Sequence, residues 1–271
     1  MVEIRNNSAT RVRDLARPYL LGQLSDLHLG KKPRDGADPT SSLEAVLAGL
    51  ARLPNPLDAI VVTGDLTHYG KRKEYRLARK LLDATGVPVH VMPGNHDDRA
   101  KLREAFALPG EGDAPVDYEV DLGPLALVVV DSTAPGEEEP GRFALAQLKR
   151  LDRVLTDFGD KPTIVAMHHS PLPTAMPGWD GANLIPAEDR ALAEVIARHP
   201  QVRLIIGGHL HRVATATLAD RPVLSGPSTY LQARPNFDTE QVEMYAGAAG
   251  FALHAFNDGA LSSQVEIVPA L

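Results

Sequence analysis

Apolar and polar positions along this chain follow two periods, and the order of those periods predicts an architecture. Short, mainly apolar runs at Leu20–Ser25, Ala59–Thr63 and Val87–Met92 read as buried strands. Between them lie stretches with helical spacing. Ser41 and Glu44 offer a capping box that would open a helix running to Leu53. Arg72–Asp83 carries Leu77 and Leu81 one turn apart and stops before Gly86, and a short helix is predicted over Arg99–Ala107. The pattern then shifts. Tyr118–Leu122 and Leu125–Val130, parted by Gly123-Pro124, read as an antiparallel pair. A helix at 143–157, a strand at Thr163–Met167, a helix at Ala187–Arg198 and a strand at Val202–Ile206 follow. The rest shows strand-like segments near Val213–Leu218, Pro222–Leu224, Gly250–Ala255 and Leu261–Val268, with no long helix between them. Strand–helix units followed by a β-rich end suit an α/β fold in which two mixed sheets pack face to face with helices outside. With no internal repeat and no linker-like stretch, one domain over residues 1–271 is expected, and 171–186 and 212–271 are the places for a cap or an oligomerisation surface.

Composition narrows the chemistry. With 44% hydrophobic and 23% charged residues, the 271-residue chain has the balance of a globular protein with a sizeable core. It has no cysteine, which excludes disulfides and thiolate ligands. Any metal would be held by oxygen and imidazole nitrogen, a donor set suited to Mn, Fe, Zn, Co or Ni. The formal charge of −7, without a basic block, argues against strong non-specific binding to long nucleic acid, which depends on Lys and Arg neutralising phosphates. A small anionic substrate remains compatible where metal ions make the local field positive. The stretch Tyr19–Leu24 is too short for a signal or a membrane span, and no later segment approaches one, so a cytoplasmic location is expected. Ser132–Arg142, with Glu137-Glu138-Glu139, reads as an exposed loop. Pro171–Pro186 contains the only tryptophan, Trp179, and follows a histidine-bearing strand, which makes it a candidate substrate wall.

Five strand ends carry metal-seeking side chains: Asp26-Leu27-His28, Gly64-Asp65, Gly94-Asn95-His96-Asp97, His168-His169 and Gly208-His209-Leu210-His211. A parallel α/β sheet gathers its strand C-termini along one edge, where ligands bind. Asp26 and His28 are two apart and can serve one ion. Asp65 has two oxygens and can bridge two. Asn95 offers a neutral carboxamide oxygen, and His209 and His211 repeat the two-apart spacing. One of His168 and His169 completes the set, because alternation along a strand sends the two side chains opposite ways. With His168 in that role, Asp26, His28, Asp65 and His211 would hold one ion, and Asp65, Asn95, His168 and His209 the other, each ion keeping open positions. Two metals about 3.5–4 Å apart suit hydrolysis of a phosphate ester by a bridging hydroxide. Formal charge, with two divalent ions against Asp26, Asp65 and that hydroxide, matches a phosphodiester monoanion. His96 has no metal to bind and could donate to a phosphoryl oxygen or the leaving alkoxide. Asp97 would orient it. Asn95, His209 and His68 would line the substrate.

Singly, each motif has a plainer reading. Asp-x-His is common in turns, and Gly-Asn-His-Asp suits a turn because Asn and Gly tolerate left-handed backbone. His90 and His254 lie inside strands and read as core or sheet-face histidines. His199 reads as a helix C-terminal residue favoured by the dipole. Trp179 could brace its loop or stack on a base.

Together the motifs resemble the calcineurin-like metallophosphoesterase superfamily: Asp26 and His28; Gly64-Asp65; Gly94 to Asp97; a later histidine; and Gly208 to His211. The surrounding residues are similar to the bacterial class III cyclic nucleotide phosphodiesterases and their glycerophosphodiesterase relatives. That likeness rests on Ser25–Leu29, Gly94–Arg99, Asp131-Ser132 with Pro135-Gly136, and Met167–Pro173. It implies a four-layer αββα sandwich, two divalent or mixed-valence ions (Fe or Mn first, Zn, Co or Ni as alternatives) and hydrolysis of small phosphodiesters. Candidates are 3′,5′-cyclic AMP, 2′,3′-cyclic nucleotides and glycerophosphodiesters. The resemblance also implies that His168, the first histidine of its pair, is the ligand, and that the chain forms a homodimer or higher oligomer. Where the related purple acid phosphatases place Tyr three residues after the bridging Asp, this chain has His68, so no tyrosinate-to-iron colour is expected. A phosphomonoesterase on the same site is the alternative activity. A non-catalytic metal-binding scaffold is the other, although such a chain should lack ligands that are all present here.

Overall fold

A computed structural model describes residues 17–134, 140–184 and 186–268. The Glu137-Glu138-Glu139 run and Pro135-Gly136 lie outside the described residues, as does the segment before Arg17. The first half builds β1 (Tyr19–Leu24), α1 (Pro39–Ala51), β2 (Ala59–Val62), α2 (Arg72–Asp83), β3 (Val89–Val91) and α3 (Arg99–Phe106). Next come β4 (Tyr118–Asp121), β5 (Ala126–Val129), α4 (Leu145–Asp157), β6 (Thr163–His169), α5 (Pro177–Asp180), α6 (Pro186–Ala197) and β7 (Val202–Gly208). The chain finishes with β8 (Ala214–Leu218), β9 (Arg221–Ser225), β10 (Gln232–Ala233), β11 (Met244–Tyr245), β12 (Gly250–Asn257) and β13 (Ala260–Ile267).

Two mixed sheets result, in the orders β13-β12-β1-β2-β3 and β4-β5-β6-β7-β9-β8, with β10-β11 as a separate small ribbon. Strands β1, β2 and β3 are parallel, as are β5, β6, β7 and β9. Alternation along each strand sorts side chains between two environments. Ala59, Val61, Leu127, Val129, Ile164, Ala166, Leu204 and Ile206 fill the space between the sheets. Their neighbours Ile60 and Val62 pack with Leu43, Val46, Tyr75 and Leu82 of α1 and α2. On the far side, Val128, Val165 and Ile205 pack with Leu151, Leu155, Leu192 and Ile196 of α4 and α6. The order is therefore helix, sheet, sheet, helix, the four-layer αββα arrangement. Because both faces of each central strand are covered, those strands are continuously apolar. No described helix is long and apolar enough to cross a membrane.

Three local details depart from the expectation. Helix α1 starts earlier than a capping box at Ser41 would have it, because Asp38 is the N-cap and Pro39 takes the first helical position. The Asp38 carboxylate accepts from Ser41 N at 2.9 Å. Within Pro171–Pro186 a single turn, α5, forms around Trp179. The ribbon β10-β11 had no readable signal, since two residues per strand carry no periodicity. His254 sits in β12 as a satisfied core residue, between Ser263 Oγ at 2.8 Å and Gln23 Oε1 at 3.1 Å. His199 follows α6 and pairs with Asp152 of α4 at 2.9 Å.

Candidate dinuclear metal centre

All five motif clusters lie at the C-terminal ends of parallel strands: two in β6 and β7 of one sheet, three after β1, β2 and β3 of the other. The loops after β1 and β2 stay laced together beyond the sheet, with Asp26 N donating to Gly64 O at 3.2 Å and His28 N to Asp65 O at 2.9 Å. Of the seven expected ligands, five hold left-handed backbone: Asp26, His28, Asp65, His209 and His211, with φ between 45° and 68°. Such conformations cost about 1–3 kcal/mol each and persist where surrounding structure over-determines them. The glycines make room. Gly64 has φ 93°, and a Cβ there would strike His168 Nδ1; a Cβ on Gly208 would strike Ser25 Oγ.

Asp26, His28, Asp65 and His211 converge so that one donor atom from each lies within 4.8 Å of the others, all four buried. His28 Nε2 is 2.9 Å from His211 Nε2 and 3.4 Å from Asp65 Oδ2. His211 Nε2 is 3.6 Å from Asp26 Oδ1. Across Asp65, His168 Nε2 lies 3.7 Å from Oδ1 and 3.1 Å from Asn95 Oδ1. The two carboxylate oxygens of Asp65 thus face two different histidines. His209 joins His168 and His169 in a further group.

Proton positions follow from the partners. His168 Nδ1 faces the Thr63 carbonyl at 2.8 Å and His211 Nδ1 faces the Leu231 carbonyl at 2.7 Å; a carbonyl only accepts, so each Nδ1 carries the hydrogen. In the neutral ring, each Nε2 then presents a lone pair to the centre. Asp26 Oδ2 and His209 Nε2 are buried without a hydrogen-bond partner among the described residues. Burial first, and neighbouring imidazoles next, push His28 and His209 well below the ordinary histidine range, so both are neutral. Burial also works against a proton on His168, but the carboxylates of Asp65 and Asp26 outweigh it and raise that group. Lone pairs and carboxylate oxygens crowding together with few protons between them fit cations. A pair of metal ions suits the donor set.

His96 adjoins the centre. Its backbone N donates to Asp65 Oδ1 at 3.0 Å and its Nδ1 to His68 O at 3.2 Å. The expected link from Asp97 to His96 is replaced by another role. Asp97 accepts from Leu66 N, Thr67 N, Thr67 Oγ1, Tyr75 OH and Gly94 N at 2.9–3.1 Å, tying the loops after β2 and β3 together. One residue's shift along the turn aims its carboxylate into the protein. His68 Nδ1 lies 3.3 Å from His28 Nδ1, and its ring stacks on that of His96. It therefore supports a candidate ligand as well as lining the groove. His169 lies in the same group as His168 and His209, and its Nδ1 and backbone N both pair with Ser132 Oγ. Trp179 is buried, with its ring edge-on to His209. Sequence reasoning did not find Lys31, Tyr230, Leu231 or Met244, which line the mouth of the site. Tyr230, Leu231 and Met244 come from the loop before β10 and from β11, where nothing local marks them.

Two cavities open from the centre and share Asn95 and His96. One, of about 520 Å³, runs past His68, Tyr69, Arg99 and Thr133. The other, of about 200 Å³, is bounded by Lys31, Trp179, Tyr230 and Met244.

The family model described as calcineurin-like phosphoesterase matches residues 20–213. The chain belongs to that family. It is a metallophosphoesterase, and its relatives are phosphodiesterases by name. It is 32% identical over 255 residues to the 3′,5′-cyclic adenosine monophosphate phosphodiesterase CpdA of Pseudomonas aeruginosa, covering 92% of this chain and 90% of that one. A cAMP/cGMP dual specificity phosphodiesterase of Mycobacterium tuberculosis is 34% identical, over 81% of this chain and 70% of that one. The glycerophosphodiester phosphodiesterase GpdQ of Enterobacter lignolyticus is 32% identical, over 81% and 83% respectively. Among solved structures, a dimetal phosphatase from Danio rerio superposes with a TM-score of 0.71 at 17% identity, covering 93% of this chain and 99% of that one. That likeness speaks for the fold.

Proposed function

We propose that this protein hydrolyses small phosphodiesters at a dinuclear centre, with 3′,5′-cyclic AMP the first candidate and 2′,3′-cyclic nucleotides and glycerophosphodiesters next. The observation that carries the reading is Asp65, whose two oxygens face His28 on one side and His168 on the other. A carboxylate so placed suits a bridge between Asp26, His28 and His211 at one ion and Asn95, His168 and His209 at the other. Iron and manganese head the candidate ions, given oxygen and imidazole donors without thiolate. When bound, such ions polarise phosphoryl oxygens and make water at the site more acidic.

The protein's own groups do the rest. Asn95 and His96 stand where both cavities meet, so a phosphoryl group held there can extend one ester arm into each. His96 Nδ1 donates to the His68 carbonyl, which leaves Nε2 facing the open site; only the doubly protonated ring donates from Nε2 to a phosphoryl oxygen or the departing alkoxide. Trp179, Tyr230 and Met244 wall the second cavity on that side. The names and coverage of the relatives favour diesters. Turnover of bis(p-nitrophenyl) phosphate and of cyclic AMP by manganese-loaded protein is expected to exceed that of p-nitrophenyl phosphate. A large preference for the monoester would replace this proposal with a phosphomonoesterase.

A further inference from the structure

Lys31 lies three residues beyond His28, in a turn where its backbone N donates to His28 O at 3.1 Å. It lines the smaller cavity together with His28, Asp65, Asn95, His96 and His211. It is half-buried, yet among the described residues no carboxylate pairs with it and no side-chain hydrogen bond holds its ammonium. Its neighbour Arg34 is paired with Asp35. Burial, and then the charge of Arg34, lower the lysine below its ordinary range. The carboxylate whose field it feels is Asp65, which the ions of the centre would claim.

A cation left half-desolvated beside a site built for cations is unfavourable by itself, since like charges repel and burial strips water from the ammonium. The arrangement becomes favourable when an anion enters between the lysine and the centre. The proposed reaction brings such an anion: the substrate's phosphoryl group. A lysine is a mobile point charge on a long stem, suited to following a phosphoryl oxygen as its charge grows.

We infer that Lys31 is a substrate-binding residue whose ammonium holds an anionic oxygen of the bound phosphoryl group from the His28–His211 side of the centre. This assignment rests on the phosphoester-hydrolysing reading of the site, but its test does not require turnover. Inorganic phosphate is titrated into metal-loaded full-length protein by calorimetry, with metal content measured in parallel. Lys31→Met is expected to weaken phosphate binding about tenfold, the size of one lost charge-assisted hydrogen bond. Lys31→Arg is expected to stay within about threefold of the parent, because it keeps the charge. Both variants should hold as much metal as the parent. Unchanged phosphate affinity in Lys31→Met, equal weakening in both variants, or loss of metal would overturn the assignment. Lys31-dependent phosphate binding by a protein that cleaves no diester would support the assignment while refuting the proposed activity.

Discussion

Asp65 and His96 are neighbours with separable duties. Asp65 presents an oxygen to each half of the centre and accepts the His96 backbone N–H besides. Asp65→Ala should therefore strip both ions from protein grown with manganese or iron, and elemental analysis showing full occupancy would contradict a bridge. His96 pairs with a backbone carbonyl and has no place in the four-residue cluster of Asp26, His28, Asp65 and His211. His96→Ala should keep the metal while turnover falls roughly 10²–10⁴-fold, and unaltered turnover would remove it from the reaction. His254 belongs to stability. Burial lowers it to about 4, against 6.5 for an exposed histidine, so the unfolded chain takes up its proton first as pH falls. The stability it confers is present above pH 6.5 and fades as pH drops toward 4. Between pH 7 and 5 the loss is on the order of 2 kcal/mol, and His254→Gln should flatten that slope in urea titrations of metal-saturated protein. The candidate ligands were legible in the sequence because Asp, Asn and His, which offer oxygen and imidazole donors, recur at the ends of apolar runs. The work of Asp97 was not legible, since its partners Thr67, Tyr75 and Gly94 come from other loops. Nor was Lys31, an ordinary residue until the fold sets it beside His28.

Among the elements, long periodic segments were the readable ones. The boundaries of α2 and the pairing of β4 with β5 agree closely with the pattern, because apolar spacing and the Gly123-Pro124 turn are local signals. The start of α1 shows where local signals compete. Ser41 and Glu44 have the right spacing for a capping box, but Asp38 followed by Pro39 is the stronger start, pairing an acceptor side chain with a residue that needs no N–H. Asp38→Ala should then cost about 1 kcal/mol of stability, whereas Glu44→Ala, at an exposed position, should change it by less than about 0.5 kcal/mol. A denaturation experiment with the reverse ranking would restore the cap to Ser41. Pairings between distant segments left no such trace. Nothing in Gly250–Asn257 announces that it lies against β1, and the bulge in β6 between Ala166 and His169 became visible only with the neighbouring strand in place.

At the scale of the whole molecule, the candidate centre straddles the seam between the sheets. Asp26, His28, Asp65 and Asn95 come from one sheet, and His168, His209 and His211 from the other. Gln23 bridges the same seam behind the site, donating to Gly207 O at 2.8 Å and Thr63 Oγ1 at 3.2 Å. Ions bound there would tie the two halves together, so chelation should lower the melting temperature and added manganese should raise it in a concentration-dependent way. A melting temperature indifferent to both would mean that metal binding and sheet packing are independent.

Strand β1 has a consequence for how the protein is made. It lies inside its sheet, with β2 along one edge and β12 along the other, yet a ribosome delivers β12 long after β1 and β2. Until Gly250–Asn257 emerges, a nascent chain carries an unpaired, apolar flank beside the loop that bears Asp26 and His28, an invitation to chaperones or to misassembly. Metal loading at a centre that draws on both Asp26 and His211 would thus wait for the later of them, at a site whose earliest residues wait longest for their surroundings.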